Sequence, residues 1–286
     1  MVASGTYGWG EEAESLIDLD SLGAFVTKTV TLNPRQGNPS PRIWETPAGL
    51  LNSIGLQNDG LSEFQKTALP LFKNHRVPLI VSIAGETINE FLDLAIALES
   101  QSRVDALEIN ISCPNVKEGM LFGKSPKLTG ELVRKLKNGC SKTMIVKLTP
   151  NTGEIQEVAR AAEREGADCL SLVNTFMGMA IDPRTRRSRL ATTFGGLSGP
   201  AIKPLALRLV YEVSKAVKIP IIGMGGITSG EDALEFIIAG ASAIAVGSAS
   251  FRRPDAPIKV LEELKSLLND IGVENLEEIR GTFKDG

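Results

Sequence analysis

The fold class predicted from the sequence is α/β, a (β/α)₈ TIM barrel, and three observations predict it. Short apolar runs alternate with longer amphipathic stretches along the whole chain, the pattern of β-α units around a parallel sheet. Eight such runs can be counted, the number that closes a barrel. No G-x-G-x-x-G hexapeptide follows a strand, whereas an open doubly wound sheet normally marks its dinucleotide site that way. With 286 residues, 42% of them hydrophobic, the chain can bury one large core, and residues 1–286 read as a single domain.

In order, the strands are expected at 2–4, 24–28, 78–84, 106–112, 144–149, 169–173, 220–223 and 243–246, with helices at 63–73, 89–100, 127–137, 153–165, 202–216 and 230–238. The second strand places Ala24, Val26 and Lys28 on one side. In the fourth, Leu107, Ile109 and Ile111 oppose Glu108, Asn110 and Ser112, and the strand ends at Cys113, which Pro114 biases away from helix. In the fifth, Ile145, Lys147 and Thr149 oppose Met144, Val146 and Leu148. The outward side of a barrel strand packs on helices, so Lys28 and Lys147 are expected to point inward at the mouth. Glycines close the last two strands, at Gly223-Met-Gly-Gly-Ile and at Gly247-Ser248. Residues 29–60 and 175–200 exceed the minimal unit. With the loop after strand four, they read as active-site insertions after strands 2, 4 and 6, on the face where barrels build their sites.

A formal net charge of −3 provides no broad basic footprint for nucleic acid or an anionic membrane, so a small ligand is expected. The first residues lack the basic and apolar regions of a signal peptide, and no segment supplies the roughly 18 apolar residues of a membrane span. A cytoplasmic protein is the expectation. Three widely spaced cysteines and a single histidine, His75, argue against a disulfide framework, a metal site, an iron–sulfur cluster or a histidine triad in this chain.

Several residues carry chemistry on this reading. A buried lysine needs an anionic or strongly accepting neighbour, which makes Lys28 and Lys147 candidates for a ligand site. Gly225, Gly226, Gly247 and Ser248 follow strands seven and eight, the usual phosphate site of a barrel, where backbone amides freed by glycine bind anions. Asn52, Asn58, Asn110, Asn115 and Asn174 gather at strand ends, and such a ring of amides suits a cyclic imide edge. Cys113, at the end of a polar strand, is placed for a role as base or nucleophile, whereas Cys140 and Cys169 read as structural. His75 is expected to cap or decorate the surface. The cluster Arg184, Arg186, Arg187 and Arg189 reads as a solvated loop, or as one that faces an acidic partner or seals the site.

Four motifs extend this reading: Asn-Ile-Ser-Cys-Pro-Asn-Val at 110–116, Asn-Ser-Ile-Gly-Leu-Gln-Asn at 52–58, Gly-Gly-Leu-Ser-Gly-Pro-Ala-Ile-Lys-Pro at 195–204 and Gly-Met-Gly-Gly-Ile at 223–227. Together they resemble class 1 dihydroorotate dehydrogenases over nearly the whole chain, and Asn-Pro-Arg-Gln-Gly-Asn-Pro-Ser-Pro-Arg at 33–42 is most similar to the NAD-linked class 1B. The resemblance implies an FMN barrel that oxidises dihydroorotate to orotate in pyrimidine synthesis. By the same resemblance Cys113 is the base, and hydride passes to the flavin N5. Lys28, Asn52, Ser53, Ile54, Gly55, Leu56, Asn110, Asn115, Asn174 and Thr175 would hold the substrate. Ser4, Gly5, Lys28, Thr29, Asn110, Lys147, Val173 and Gly199 would line FMN, and Gly225, Gly226, Gly247 and Ser248 would hold its phosphate. Lys147 would offset charge on the reduced ring. Class 1B further implies a partner subunit with FAD and a [2Fe–2S] cluster that passes electrons to NAD, arranged with a homodimer core as a heterotetramer. The usual N-terminal strand pair of the family is missing before residue 2. A fumarate-using class 1A homodimer, or a non-redox barrel binding a phosphorylated metabolite, are the alternatives.

Overall fold

The computed structural model describes residues 1–112 and 122–284. In chain order the strands are β1 (Phe25–Val26), β2 (Ile43–Thr46), β3 (Gly49–Asn52), β4 (Leu79–Ile83), β5 (Ala106–Asn110), β6 (Thr143–Lys147) and β7 (Cys169–Leu172). They continue as β8 (Phe176–Gly178), β9 (Ile181–Asp182), β10 (Arg187–Ser188), β11 (Gly195–Ser198), β12 (Ile221–Met224) and β13 (Ala243–Ala245). Among the described residues a seven-stranded parallel sheet runs in the order β1-β4-β5-β6-β7-β12-β13. Residues 2–4, expected as the first strand, form a parallel bridge from Val2 to Val246, just after β13. The Ser4 hydroxyl then donates to the Thr27 carbonyl, just after β1, at 2.8 Å. The first segment thus reaches both edges of the sheet.

Alternation decides what each face of the sheet packs against. Ala24, Val26, Ile80, Ala106, Ile145, Ile222, Met224 and Ala245 form a small cluster of their own. Their neighbours Phe25, Leu79, Val81, Leu107, Ile109, Met144, Val146 and Leu170 join the larger core with the helices. A two-residue period at buried strands separates these sets, and the many alanines of the first set suit the narrower space.

The helices follow the expected periodicity. Ile88–Glu99 buries Phe91, Leu94, Ala95 and Leu98, an i, i+3, i+4, i+7 stripe, and the Thr87 hydroxyl caps it by accepting from Glu90 N. Gly230–Ile238 begins with a reciprocal capping box between Ser229 and Asp232. The region expected as one helix at 63–73 departs from this. It runs Gly60–Glu63 as α-helix, Phe64–Ala68 as π-helix, Leu69–Leu71 as α-helix and Phe72–Asn74 as 3₁₀-helix. Pro70 accounts for the break, since it donates no N–H and its ring crowds the preceding turn.

The two long segments meet in one place. Strands β2 and β3 pair with β11 and β8 in a four-stranded antiparallel sheet, with Asn52 opposite Gly196. No helix among the described residues is long and apolar enough to cross a membrane.

Candidate active site

A cavity of about 1020 Å³ lies between the carboxyl ends of the parallel strands and the four-stranded sheet, at the upper end of the range for small-molecule sites. Lys28 and Thr29 enter it from the end of β1, Asn110 from β5, Lys147 from β6, Val173 from the end of β7, and Gly225 and Gly226 from the turn after β12. Ser4, Gly5, Gly247 and Ser248 complete that side, and Gly199 lines the cavity just after β11, against Gly49 of β3. The opposite wall holds Asn52, Ser53, Ile54, Gly55 and Leu56, with Asn174 and Thr175 between. With the exception of Asn58, every described residue expected at the site is therefore in the wall of one cavity. Cys113 and Asn115 lie outside the described residues. Ser112 and Gly123 both line the wall, and the Gly123 N–H donates to the Ile111 carbonyl at 3.1 Å.

The cavity wall contains lysines but no aspartate or glutamate among the described residues. Lys147 Nζ, nearly fully buried, lies 3.4 Å from Glu108 Oε1 behind the wall. The other carboxylate oxygen accepts from Ser171 Oγ at 3.0 Å. Beside them a polar chain fixes the side toward β1. Thr29 Oγ1 lies 3.0 Å from Ser82 Oγ and 3.3 Å from Ser4 Oγ, and accepts from Asn110 Nδ2 at 3.3 Å. Pairing spends the hydrogen-bonding capacity that burial would otherwise leave costly.

The 52–56 loop is shaped by the segment before it. Asn38 N donates to the Ile54 carbonyl at 3.0 Å and Asn38 Nδ2 to Ser53 Oγ at 2.8 Å. Gly55 has φ +73°, and a Cβ there would come within 2.7 Å of Asn38 N. Leu56 follows at φ +55°, a left-handed conformation that costs a non-glycine residue about 1–2 kcal/mol. The Arg42 guanidinium donates to Gln57 Oε1, to the Asn38 carbonyl and to the Gln36 carbonyl. This gives the 33–42 segment a physical task as a brace behind the loop.

At the other end, Gly225 and Gly226 have φ +124° and +79°, and a Cβ at Gly226 would lie 2.7 Å from Lys203 N. The N–H groups of Gly225, Gly226, Gly247 and Ser248 donate to no carbonyl of the described chain. Asp232, behind this turn, accepts from Thr228 Oγ1 at 2.8 Å and pairs with Lys203 Nζ at 2.7 Å. Burial pushes the Asp232 carboxyl up, but Lys203 and Thr228 outweigh it and hold the group below its usual range.

The sequence reading overlooked Asn151 and Lys124, both in the wall. Asn151 Oδ1 accepts from Met177 N at 2.9 Å, and Nδ2 donates to the Thr175 carbonyl at 2.9 Å, so it pins the segment carrying Asn174 and Thr175. A strand-end amide just after β6 was visible by the same rule that found the other asparagines. Lys124, in the turn Phe122–Lys124, carried no such signal.

One expected amide is corrected. Asn58 is buried away from the cavity, where its Oδ1 accepts from Thr31 N and Gly60 N and its Nδ2 donates to Thr31 Oγ1 at 2.8 Å. It shapes a turn, because four hydrogen bonds to its own neighbourhood leave nothing for a ligand. His75 stands at the surface 2.8 Å from Glu14 Oε1. Arg189 pairs with Asp182 at 2.8 Å and covers the Trp44 ring at 4.5 Å, while Arg184, Arg186 and Arg187 are exposed. Burial pushes the Cys140 thiol up to about 11, aided by its hydrogen bond to Glu99, and the Cys169 thiol up to about 12, aided by the Glu108 charge.

Residues 1–268 match the family model described as dihydroorotate dehydrogenase. The catalytic subunit of dihydroorotate dehydrogenase B (NAD(+)) from Thermoanaerobacter pseudethanolicus is 52% identical over 285 residues, covering 99% of this chain and 94% of the relative. The subunit of that name from a Geobacter species is 49% identical over 99% of this chain and 93% of its own length. A solved structure of DHODH with ferulenol from Eimeria tenella superposes with a TM-score of 0.81 at 23% identity, over 98% of this chain and 84% of that one. At that identity it speaks for the fold alone.

Proposed function

Because this chain belongs to the dihydroorotate dehydrogenase family, we propose that it is the catalytic subunit of an NAD-linked, class 1B enzyme that oxidises dihydroorotate to orotate in pyrimidine synthesis. The observation that carries the reading is the cavity itself: three lysines and no carboxylate in its described wall, amides at one end, and four unspent backbone N–H groups at the other. A planar dianionic cofactor and an anionic imide substrate both match that donor set.

The residues fit FMN. Gly225 and Gly226 keep a cradle open that a Cβ would fill, and with Gly247 and Ser248 they present N–H groups suited to its phosphate. Ser4, Gly5, Thr29, Asn110, Val173 and Gly199 would line the ring and ribityl chain. When bound, FMN supplies the acceptor for the hydride that leaves the substrate.

Cys113, as thiolate, removes the proton from the substrate ring carbon next to its carbonyl, and a thiol with an ordinary pKa near 8.5 needs modest tuning for that task. Lys28 serves the boundary between cofactor and substrate. Asn52, Ser53, Ile54, Gly55 and Leu56 on one side, and Asn110, Asn115, Asn174 and Thr175 on the other, grip the pyrimidine edges. Lys147 holds positive charge at the wall where reduction adds negative charge.

The fold reading that accompanies this function is one domain, a closed (β/α)₈ barrel with residues 2–4 as its first strand and with site-building insertions after strands 2, 4 and 6. Electrons leave through a second subunit carrying FAD and [2Fe–2S], docked on a homodimer core in the cytoplasm. The test is spectroscopic. The chain purified with FMN should be yellow and bleach when dihydroorotate is added without oxygen, and NAD reduction should need the second subunit. A colourless protein, or flavin that dihydroorotate fails to bleach, refutes the reading. Turnover with fumarate alone would refute the NAD linkage.

A further inference from the structure

The Lys147–Glu108 pair is buried on the inner face of the sheet. That face is apolar at Ala24, Val26, Ile80, Ala106, Ile145 and Ile222, and beside the pair it carries the buried hydroxyls of Ser82 and Ser171. A buried ion pair in such a layer is no aid to stability, because replacing it with packed apolar groups is often neutral or favourable. Yet the pair is well held. The Glu108 side chain is 3% exposed and is fastened by Ser171 Oγ at 3.0 Å on one oxygen and by Lys147 Nζ at 3.4 Å on the other. Glu108 is the one carboxylate bonded to a cavity-lining lysine among the described residues, and it lies behind the wall rather than in it. Of the three protons of the Lys147 ammonium, one is engaged by Glu108, and the described chain offers no acceptor to the others. Those two are available to whatever fills the cavity.

We propose that Glu108 is a positioning residue for the redox site: it holds the Lys147 ammonium at the cavity wall and, through its own charge, sets the net field that a bound flavin ring feels. This rests on the FMN reading above. A carboxylate behind the ammonium partly cancels the positive field, and a buried charge is screened less than one at the surface, so its effect reaches over several ångströms. The pair therefore keeps the flavin from becoming too easily reduced, so that electrons pass onward.

The test uses the FMN-loaded chain and reads the flavin midpoint potential against a reference dye, with the absorbance spectrum as the check on loading. Glu108→Gln keeps the shape and the bond accepted from Lys147, lets the amide N–H donate to Ser171 Oγ in place of the bond it received, and removes the charge. It should move the equilibrium toward reduced flavin tenfold or more, about 30 mV for a two-electron couple. Glu108→Asp, which keeps the charge, should stay within threefold of the unaltered protein. A glutamine variant that holds FMN but shows no shift, or a shift the other way, overturns the proposal, as does an aspartate variant that shifts equally. If the glutamine variant does not fold, Glu108→Leu with Lys147→Met replaces it, compared with Lys147→Met alone. The double variant should recover at least threefold of the reduced form, and equal potentials overturn the idea. Failure of the unaltered chain to take up FMN would instead sink the cofactor reading on which the proposal stands.

Discussion

Gly226→Ala is expected to cripple cofactor binding while Gly247→Ala is tolerated, although both glycines are assigned to the same phosphate. At Gly226 two costs add. Its φ of +79° penalises any Cβ by about 1–2 kcal/mol. The new methyl would also lie 2.7 Å from Lys203 N and 2.9 Å from Lys203 Cα, backbone atoms at the start of the helix Lys203–Ser214. These atoms cannot swing aside, so the turn must move by several tenths of an ångström, at a cost of the order of 1–3 kcal/mol for forced overpacking. If about half of that strain, roughly 1–2.5 kcal/mol, is relieved by letting the turn open, its amides leave the phosphate, and FMN affinity falls roughly 5–60-fold at 1.4 kcal/mol per tenfold. At Gly247 the nearest atom to an added Cβ is Ala3 Cβ at 3.6 Å, an ordinary contact, and φ is not in the left-handed range. There the loss should stay within about threefold. FMN titration by quenching of flavin fluorescence measures both, and thermal melts of the FMN-free proteins report the strain separately. Equal affinities for the two variants would refute the reasoning, because only the space and backbone geometry distinguish them.

Three further outcomes follow from the geometry. At pH 8 the Cys140 and Cys169 thiols, raised to about 11 and about 12, should stay protonated and unreactive, so alkylation of the folded protein should reach Cys113 alone and Cys113→Ala should abolish the fast phase seen by mass spectrometry. Asn151→Ala frees Thr175 and Met177 from its side chain, and should raise the KM for dihydroorotate by up to about 25-fold with little change in FMN affinity, as two lost hydrogen bonds of about 1 kcal/mol each would do. The Lys203–Asp232 pair raises the lysine pKa and lowers the carboxyl pKa, so its stabilisation should be complete at neutral pH and be lost in two windows. It fades as pH falls below the ordinary carboxyl range and as it rises past 10.5, and the melting-temperature gap between the unaltered protein and Lys203→Met, measured from pH 3 to 11, should close at both ends.

Which side chains face inward was determined by the sequence alone, because strand alternation is a local, two-residue period that no distant contact can reverse without moving a whole face. Lys28, Asn110 and Lys147 were legible on those grounds, as were the glycine turns after the last strands. The helix Gly230–Ile238 was legible to the residue, since its capping box is written within four positions. Cys113 and Asn115 remain readable from the sequence only.

Tertiary structure decided what those side chains meet. Glu108 and Lys147 are 39 residues apart, and only the β5–β6 register makes the carboxylate the lysine's partner. Asn52 and Asn58 belong to the same motif, yet one lines the cavity and the other is used up in a turn. Residues 29–60 and 175–200 read as two separate insertions until pairing of β3 and β8 with β11 made them one wall. Local chemistry sets the direction in which a side chain points, whereas pairing between distant segments sets the atoms it reaches, and the chemistry of this site depends on both.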